Sequence, residues 1–381
     1  MAIVMQKLST MHLRLPRGTE SLLLEEAARQ RVVIRRLEEL YDRWGYLPAQ
    51  TPMVDFAELY QPLLPEENFR QAYRLIDREG ELLMLRADIT LFLAKQLGMR
   101  LSEQELPVRV CYADSILRYE ARHDISKNEF FQSGVELIGV PGREGDLEML
   151  LLLQEAVEAA GAERYALHLG SSAVLHATVR SLGAGRALEE ELRALILGRR
   201  FSELRELLAP FAENEPQKQL ISPERLEALL ALYQLVGSAE EVAEAASPLR
   251  SALTAEEEEE LDYLLELFAA LRELKPPRLE QPVRLDLSEV GSRGYYTGVS
   301  FQAYVDRLDS AIASGGRYDS LLASFGFSAP SVGFSMLPRK IASLREAKSE
   351  LPPVECAPGN DFAERYRAAR AAHEEGRRAS L

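Results

Sequence analysis

Short β-type segments in two separate parts of the chain are the feature that most constrains its fold. Between residues 73 and 140 the sequence contains YRLID, ELLMLR, VRVCYADSILRYE and FFQSGVELIGV, separated by glycine or acidic turns. Runs rich in branched and aromatic residues with tight turns between them predict antiparallel strands. One helical stretch, 89–99, is inserted in this series, and β-type segments return in VRLDL, SFQAYV and SGGRYDSLL. The sequence therefore predicts an antiparallel sheet assembled from both halves of the chain.

Helical patterns flank these strands. Residues 20–44 carry apolar side chains at helical spacing, and Gly45 follows where a left-handed cap would end the helix. Residues 146–160 predict a second, strongly apolar helix. In the intervening stretch YLPAQTPMVDF, Pro48 and Pro52 exclude a continuing helix and favour an extended edge or interface strand.

Residues 172 to 274 contain no convincing strand pattern and predict a helical insertion. Ser222 and the following proline open a helix that we expect to end at Gly237, and Thr254 caps another helix. The acidic run Glu256 to Glu260 lies in the first turn of that helix, where glutamates favour the helix dipole. We expect this run to face solvent.

These shifts in pattern divide the chain into four parts. Residues 1–171 form the first part of the core, 172–278 the helical insertion, 279–345 the second part of the core, and 346–381 a short C-terminal appendage. The appendage is shorter than the roughly 50 residues that a domain with its own core usually needs.

Composition excludes several classes of function. The formal net charge of −15 disfavours nucleic acid as a partner. No segment approaches the roughly 20 apolar residues of a membrane span, and the N-terminus lacks a signal-peptide pattern, so we expect no membrane contact and a cytoplasmic location. The two cysteines and five histidines are scattered without metal-ligand spacing. We therefore expect no metal and no other cofactor.

Polar residues recur at even spacing inside the apolar segments. The pairs are Arg86 and Asp88, Arg118 and Glu120, and Gln132 and Glu136. Side chains separated by an even number of residues on a strand point to the same face of the sheet. A buried face with these charges is costly unless the groups pair with each other or with a ligand. Two interpretations stay open, an internal salt-bridge network and a binding pocket.

The segment SRGYYTGVSF contains Tyr295 and Tyr296 between two glycines, Gly294 and Gly298. Phenols could stack on or hydrogen-bond to a small polar ligand, although paired tyrosines are also common packing residues. The segment GGRYD at 315–319 places an arginine suited to an anionic group after a glycine turn. The sequence shows no phosphate-loop, dinucleotide or hydrolase motif.

Ordered segments along the chain resemble histidyl-tRNA synthetase, a class II aminoacyl-tRNA synthetase. They are PRGTE (16–20), GYLPAQTPMVDF (45–56), LRADIT (85–90), LRYEARHDISKNEFFQSGVELIG (117–139), RGYYTG (293–298), SGGRYDSLL (314–322) and VGFSM (332–336). The resemblance implies an α+β fold, with an antiparallel sheet flanked by helices, a helical insertion, and a two-fold dimer interface at TPMVDF.

The resemblance also implies a set of histidine-binding residues. They are Asp88, Thr90, Arg118, Gln132, Glu136, Tyr295 and Tyr296. Asp88 and Thr90 stand where the family contacts the amino group, and Arg118 stands where it contacts the carboxylate and the α-phosphate. Gln132 and Glu136 stand where the family reads the substrate. Tyr296, with Tyr295, stands where it meets the imidazole.

Several cations of the synthetase family are absent. The arginine of the family sequence R-G-L-D-Y-Y aligns with Gly291, and Arg293 lies two positions later. Ala121 and Asn128 replace basic positions of the second motif, and 337–340 replaces G-L-E-R of the third. Such cations stabilise negative charge at the reacting phosphorus, commonly by several kcal/mol. We therefore expect no catalytic residue in this chain and no adenylation.

A synthetase-like core that keeps the histidine pocket, loses these cations and lacks an anticodon-binding domain resembles the regulatory subunits of ATP phosphoribosyltransferase. The resemblance implies a non-catalytic homodimer that binds short-form catalytic ATP phosphoribosyltransferase subunits in a hetero-oligomer and senses histidine. Those catalytic subunits perform the first step of histidine biosynthesis. The alternative is a truncated histidyl-tRNA synthetase or a stand-alone histidine-activating enzyme. A third class, a kinase-regulating or tRNA-sensing domain on the same fold, would need a basic face.

Overall fold

The computed structural model describes residues 15–16, 18–64, 66–119, 128–212, 221–274, 283–344 and 354–381. Its helices are α1 Leu24–Arg43, α2 Glu66–Gln71, α3 Ile89–Gly98, α4 Gly142–Ala159, α5 Ser172–Ser181, α6 Arg186–Leu197, α7 Phe201–Ala212, α8 Pro223–Leu232, α9 Ala239–Ala246, α10 Ala255–Glu273, α11 Pro338–Leu344 and α12 Phe362–Glu374. Its strands are β1 Leu47–Pro48, β2 Val54–Phe56, β3 Arg74–Ile76, β4 Leu82–Leu85, β5 Val108–Leu117, β6 Glu129–Ile138, β7 Tyr165–Ser171, β8 Val236–Gly237, β9 Val283–Asp286, β10 Val299–Val305, β11 Ala313–Arg317, β12 Ser331–Met336, β13 Glu355–Cys356 and β14 Ala379–Ser380.

Strands from both halves of the chain form one nine-stranded sheet. Its order is β1-β5-β6-β12-β11-β10-β7-β9-β8, and β2-β4-β3 form a separate three-stranded sheet. Pairing from β5 through β7 in this order is antiparallel, whereas β1 with β5 and β7 with β9 are parallel. The predicted α+β fold with an antiparallel sheet flanked by helices is confirmed, and the parallel pairs lie towards its margins.

The two faces of the nine-stranded sheet differ in chemistry. On β6, Val135 and Leu137 are fully buried and join the main hydrophobic core, to which α1 and α4 contribute. The alternate residues Gln132 and Glu136 point to the other face, because successive strand side chains alternate. One face is therefore covered by α1 and α4, and the opposite face combines these polar groups with apolar residues that pack against α3.

Helix α1 confirms the helix predicted at 20–44. Its buried side chains Val33, Leu37 and Tyr41 lie one helical turn apart on the core face. Gly45 follows with φ +80, the left-handed conformation that glycine adopts without a steric penalty. The chain then enters β1, where Pro48 lies on an edge strand, as predicted.

The region between β7 and β9 contains helices α5 to α10 and one exception to the predicted all-helical pattern. The helix that begins after Ser222 ends at Leu232, so the prediction that it continues to Gly237 was wrong. Val236 and Gly237 instead pair with β9 and add the last strand of the large sheet. Backbone pairing with a strand formed later in the chain overrides the local helical pattern. The predicted domain boundaries stay predictions.

The acidic run at the start of α10 is not uniformly exposed, which corrects the expectation that it faces solvent. Glu257 is fully buried and accepts hydrogen bonds from Thr178 Oγ1 at 2.9 Å and from Arg225 at 3.0 Å. It also closes a capping box with Thr254. Glu256 lies beside it in sequence but is exposed and pairs with exposed Arg180. The two side chains point to different sides of the helix, because successive helical residues are rotated about the helix axis.

Among the described residues, no helix combines the length and the apolarity needed to cross a bilayer.

The neighbouring residues Glu257 and Glu256 give a matched test of burial. Glu257→Ala should lower the free energy of unfolding by about 3–5 kcal/mol, because it removes the buried member of an ion pair and leaves the partly buried Arg225 without its anionic partner. Glu256→Ala removes an exposed ion pair and should cost about 0–1 kcal/mol. Urea unfolding of both variants measures the two values, and equal losses would contradict the assignment.

Candidate functional site

A small cleft lies on the polar face of the nine-stranded sheet. Its floor comes from Glu136 on β6, Ser314 on β11, and Gly333 and Ser335 on β12. Its walls come from the start of α3, from the loop between β9 and β10, and from the segment after β11. The lining residues are Asp88, Thr90, Glu136, Arg293, Tyr295, Tyr296, Ser314, Tyr318, Gly333, Phe334 and Ser335. We call this the central cleft.

Small residues on the floor make room for a buried carboxyl group. Gly333 pairs directly with Glu136 in the sheet. A Cβ atom at Gly333 would lie 1.7 Å from Glu136 Oε2 and 2.5 Å from the carbonyl oxygen of Val135. Because backbone atoms cannot move aside cheaply, a larger residue at this position would force the Glu136 carboxyl out of place.

Glu136 is the most strongly perturbed acid of the central cleft. Its side chain is buried, and burial raises its pKa to about 8 even though hydrogen bonds from Thr90 and Tyr318 act in the opposite direction. Thr90 Oγ1 donates to Oε1 at 2.6 Å, Tyr112 lies at 3.4 Å from the same oxygen, and the Tyr318 hydroxyl donates to Oε2. Burial therefore favours the protonated form of this carboxyl group, which can donate as well as accept.

Asp88 supplies the second acid, with a different environment. It is the N-cap residue of α3 and accepts from the backbone N–H of Leu91 at 3.3 Å. Its Oδ2 accepts from the Tyr295 hydroxyl at 3.1 Å and lies 3.3 Å from Arg293 Nε. Asp88 thus forms the one ion pair within the described lining of the cleft, between α3 and the β9–β10 loop.

The tyrosines provide the aromatic walls. The ring centroids of Tyr295 and Tyr296 are 5.3 Å apart in an edge-to-face arrangement, and those of Tyr295 and Tyr318 are 5.9 Å apart. Burial raises the pKa of each of these phenols above its usual value. Glu136 raises the pKa of all three further, and Asp88 raises that of Tyr295 and Tyr296. The phenols are therefore neutral, with flat faces and hydroxyl donors that suit an aromatic polar ligand.

Most of the predicted histidine-binding residues meet in this cleft. Asp88, Thr90, Glu136, Tyr295 and Tyr296 all line it. Their assembly requires three separate segments of the chain, which the sheet brings together. Their assignment as histidine ligands stays a prediction.

The remaining predicted residues lie outside the lining. Gln132 is buried on the same face, and its Nε2 donates to Ser335 Oγ at 3.5 Å, so it reaches the cleft through that serine. Arg118 lies beyond the end of β5, and its guanidinium carbon lies 4.9 Å from the centre of the Phe130 ring. Glu120 and Ala121 lie outside the described residues.

Arg86 and Asp88 do not share one strand face, which corrects the interpretation drawn from their even spacing. Strand β4 ends at Leu85, so the strand alternation does not extend to either residue. Arg86 is buried and donates to the backbone oxygens of Thr51 and Ser115, and it also pairs with Asp114 at 2.7 Å. Arg86 is therefore part of a structural network, whereas Asp88 belongs to the cleft.

The arginine of GGRYD also has an internal role. Arg317 pairs with Asp146 at 2.7 Å and with Asp319 at 3.0 Å, so the anionic groups it contacts belong to the protein. The residue of this segment that reaches the cleft is Tyr318, which is not among the predicted binding residues. The two glycines before it were a feature of the sequence that marked this segment.

The basic residues near the third motif contact protein groups outside the central cleft. Arg339 pairs with Glu20, and Lys340 Nζ donates to Ser310 Oγ at 2.7 Å. Asn128, at a basic position of the second motif, donates to the Tyr73 hydroxyl at 2.8 Å. None of these residues lines the described central cleft.

Arg293, Tyr112 and the small floor residues complete the site and were not selected as binding residues from the sequence. Tyr112 pairs with Gly134 on β6, which places it on the same sheet face as Glu136. That relation depends on strand register, which the sequence does not show. Among the described residues, no group of histidine, cysteine, aspartate and glutamate side chains has the arrangement of a metal site.

The raised pKa of Glu136 predicts a pH dependence of stability. Its folded-state pKa is about 8, above an unfolded value of about 4.3, so the folded state binds more protons between these values. Stability from this group should therefore fall as the pH rises through this window, by up to about 1.4 kcal/mol per pH unit. Urea unfolding across the window should show a steeper slope in the wild type than in Glu136→Gln; buried Glu289, whose pKa is raised to about 7, keeps part of the slope in both proteins. The control Glu129→Gln changes an exposed residue of the same strand and should keep the slope; parallel curves for wild type and Glu136→Gln would contradict the assignment.

Comparison with known proteins places the chain in a family. The sequence model of the histidyl-tRNA synthetase family matches residues 18–341. A protein of Moorella thermoacetica named ATP phosphoribosyltransferase regulatory subunit is 32% identical over 352 residues, covering 92% of this chain and 86% of the relative. A protein of the same name from Symbiobacterium thermophilum is 31% identical over 365 residues, covering 94% and 88%.

Solved structures show the same fold. A crystal structure from Bacillus halodurans, described as an ATP phosphoribosyltransferase regulatory subunit/histidyl-tRNA synthetase, superposes with a TM-score of 0.78 at 24% identity and covers 97% of this chain and 92% of that chain. Histidyl-tRNA synthetase from Nostoc has a TM-score of 0.75 at 20% identity, covering 97% and 85%. The chain therefore belongs to the histidyl-tRNA synthetase-like family of ATP phosphoribosyltransferase regulatory subunits.

Proposed function

We propose that this chain is a non-catalytic regulatory subunit that assembles with a short-form catalytic ATP phosphoribosyltransferase and binds histidine in the central cleft. The observation that carries the proposal is the contrast between two groups of residues. The acids and tyrosines suited to an amino acid converge on the cleft. The cations that could serve a nucleotide beside it are absent or are engaged with other parts of the protein.

The central cleft has complementary groups for histidine. The Asp88 carboxylate suits an α-ammonium group, and it lies at the α3 end of the cleft. Protonated Glu136 and the Tyr318 hydroxyl offer both donors and acceptors to an imidazole, whose ring nitrogens are one donor and one acceptor when neutral. Tyr295 and Tyr296 supply apolar ring faces around the same position.

Binding requires the cleft to widen. It has about 10 Å³ of free space, which corresponds to roughly one water molecule. Histidine would therefore displace the side chains of the β9–β10 loop, which carries Arg293 and the paired tyrosines. A ligand that favours the wider arrangement shifts the population towards it, and the shift is limited by its difference in affinity for the two arrangements.

The helical insertion is connected to the β9–β10 loop. Arg193 on α6 donates to the backbone oxygens of Val290 at 2.6 Å and Gly291 at 2.9 Å. Its other nitrogen donates to Glu189 at 2.6 Å, and His176 Nε2 lies 3.2 Å from the same carboxylate. A change in the loop therefore alters contacts with α5 and α6, which is a physical route from the cleft to the surface of the insertion.

The absence of adenylation is also part of the proposal. Gly291 has φ +75 and contributes no side chain, while its carbonyl oxygen is held by Arg193. Arg339 is directed to Glu20 rather than to the cleft. With these groups unavailable, triphosphate charge and charge developing at a phosphorus atom would lack the stabilisation that such transfers need.

We further propose that the chain forms a homodimer through its three-stranded sheet. Val54, Phe56 and Leu75 lie on one face of this sheet, as their strand registers with β4 show. Each is at least 40% exposed. Exposed apolar side chains on one sheet face favour association with another protein surface. Val54 and Phe56 belong to the segment TPMVDF, where the synthetase resemblance implied a dimer interface.

Reconstitution tests the regulatory role. The short catalytic subunit purified alone should have low activity, and adding this chain should raise phosphoribosyl transfer to ATP and make it sensitive to histidine.

Asp88→Asn should preserve assembly, measured by size-exclusion chromatography, but weaken histidine inhibition by about tenfold or more, because a charged hydrogen-bond partner is lost. A catalytic subunit that is fully active and histidine-sensitive alone would remove the proposed role.

The synthetase-like alternative predicts a different activity. A histidine-activating enzyme would catalyse histidine-dependent exchange of pyrophosphate into ATP, whereas we expect no exchange above the rate without protein. A catalytically competent histidyl-tRNA synthetase assayed in parallel is the positive control. Robust exchange by this chain would overturn the non-catalytic assignment.

A further inference from the structure

A second, larger space lies beside the central cleft, at the boundary between the helical insertion and the core. Its volume is about 420 Å³, whereas the central cleft has about 10 Å³ of free space. Helices α5 and α6 and the turn between them form one side of this space. The core segments 62–63 and 320–324 form the other side. We call it the insertion groove.

Tyr295 separates the two spaces. Among the described residues that line either space, it is the one that lines both. On the cleft side its hydroxyl donates to Asp88 Oδ2 at 3.1 Å, and its ring meets those of Tyr296 and Tyr318 edge to face. The ring is therefore a wall of the central cleft that has open space behind it.

The two neighbouring tyrosines are held more tightly. Tyr318 is buried, and its hydroxyl donates to Glu136. Tyr296 is also buried, and a Cβ atom at Gly291 would lie 2.7 Å from its Cδ2 atom, so the backbone packs closely against this ring. Rings in such close packing do not move without a shift of the surrounding structure. Of the three aromatic walls, Tyr295 is the one with room to move.

We propose that Tyr295 is a two-position switch, whose ring moves outward into the insertion groove when an amino acid binds and lines the widened cleft from that side. This inference rests on the proposed histidine site and adds the way in which the site opens. An engineered cavity of about 150 Å³ takes up benzene, so the groove has room for a phenol ring. Apolar contacts for the ring are available from Leu63, Val179 and Leu321. The hydroxyl group of Ser324 offers a hydrogen-bond partner in the same groove.

The position of the groove connects this switch to the helical insertion. Arg186 on α6 donates from Nη1 to the carbonyl oxygen of Pro62 at 2.6 Å, which joins the two sides of the groove. Its Nε donates to Glu190 at 2.8 Å. A ring that enters the groove changes the contacts between α6 and the core. By linkage, a group that already fills the groove opposes ligand binding in the cleft.

A tryptophan placed in the groove tests the switch. Ser324→Trp changes an exposed residue that lines the groove but not the described central cleft. It should weaken histidine binding to the full-length chain by about tenfold or more in isothermal titration calorimetry, because the ring of Tyr295 then has no space to enter. Ser328→Trp places the same side chain at an exposed serine outside the groove lining, and this variant should bind histidine like the wild type.

A double-mutant cycle separates the switch from a general effect of the added tryptophan. In a Tyr295→Ala background no ring has to move, so Ser324→Trp should change histidine affinity by less than about twofold. An equal loss in both backgrounds would show that the tryptophan acts independently of Tyr295, and the inference would be wrong. Ala184→Trp fills the groove from the insertion side and replaces the first variant if thermal unfolding shows that Ser324→Trp does not fold.

The remaining outcomes also decide the question. Equal histidine affinity in the wild type and in a folded groove variant would overturn the switch and leave the histidine site in place. If Tyr295→Ala alone abolishes histidine binding, the ring is needed in its present position, which contradicts the switch as well. If the wild-type chain binds no histidine, the proposed site fails and the switch fails with it.

Discussion

Strand β6 lies between β5 and β12, and this central position sets the chemistry of both sheet faces. Val135 points into the apolar core, whereas Glu136, the next residue, points into the central cleft. Neighbouring strands fix both environments at once, because a register shift of one residue would exchange the two faces. Gly333 opposite Glu136 leaves the space that the carboxyl group requires. The cleft is thus a consequence of the same pairing that forms the core.

The arginines of this protein differ in the groups that they contact. Arg86 and Arg317 are buried and fully engaged with protein groups, so they stabilise the positions of the surrounding segments. Arg193 connects the helical insertion to the β9–β10 loop through backbone carbonyls. Arg293 alone among the described lining residues brings positive charge into the central cleft. A family resemblance identifies the fold, but the partners of each cation indicate which chemistry the site can support.

The fold also explains how a binding site could be retained without the reaction of a synthetase. In the proposed function, the amino-acid pocket needs a few directed polar groups and apolar walls, and Asp88, Glu136 and the paired tyrosines line the cleft that would supply them. Phosphoryl chemistry needs additional charges placed where negative charge develops. Because these requirements involve different side chains, the proposed loss of the second set would leave the first intact. The remaining pocket can then act through differences in ligand affinity between conformations.

The sequence alone determined much of the architecture. Helical spacing identified α1 and its glycine cap, and strand-like segments in both halves predicted the antiparallel sheet, because these signals are local. Ordered motifs also selected Asp88, Glu136 and Tyr296 before their proximity was known. Local pattern could not distinguish buried Glu257 from its exposed neighbour, or show that Val236 joins a strand.

Only the tertiary structure decided which polar residues share a site. It assigned Arg86 to a structural network, brought Tyr112 and Tyr318 to Glu136, and paired Arg293 with Asp88. These relations join segments separated by long stretches of chain, and they depend on strand register and on the direction of each side chain. Local sequence patterns show neither the strand register nor the direction of a side chain. For this reason the sequence could indicate the candidate residues but not their partners.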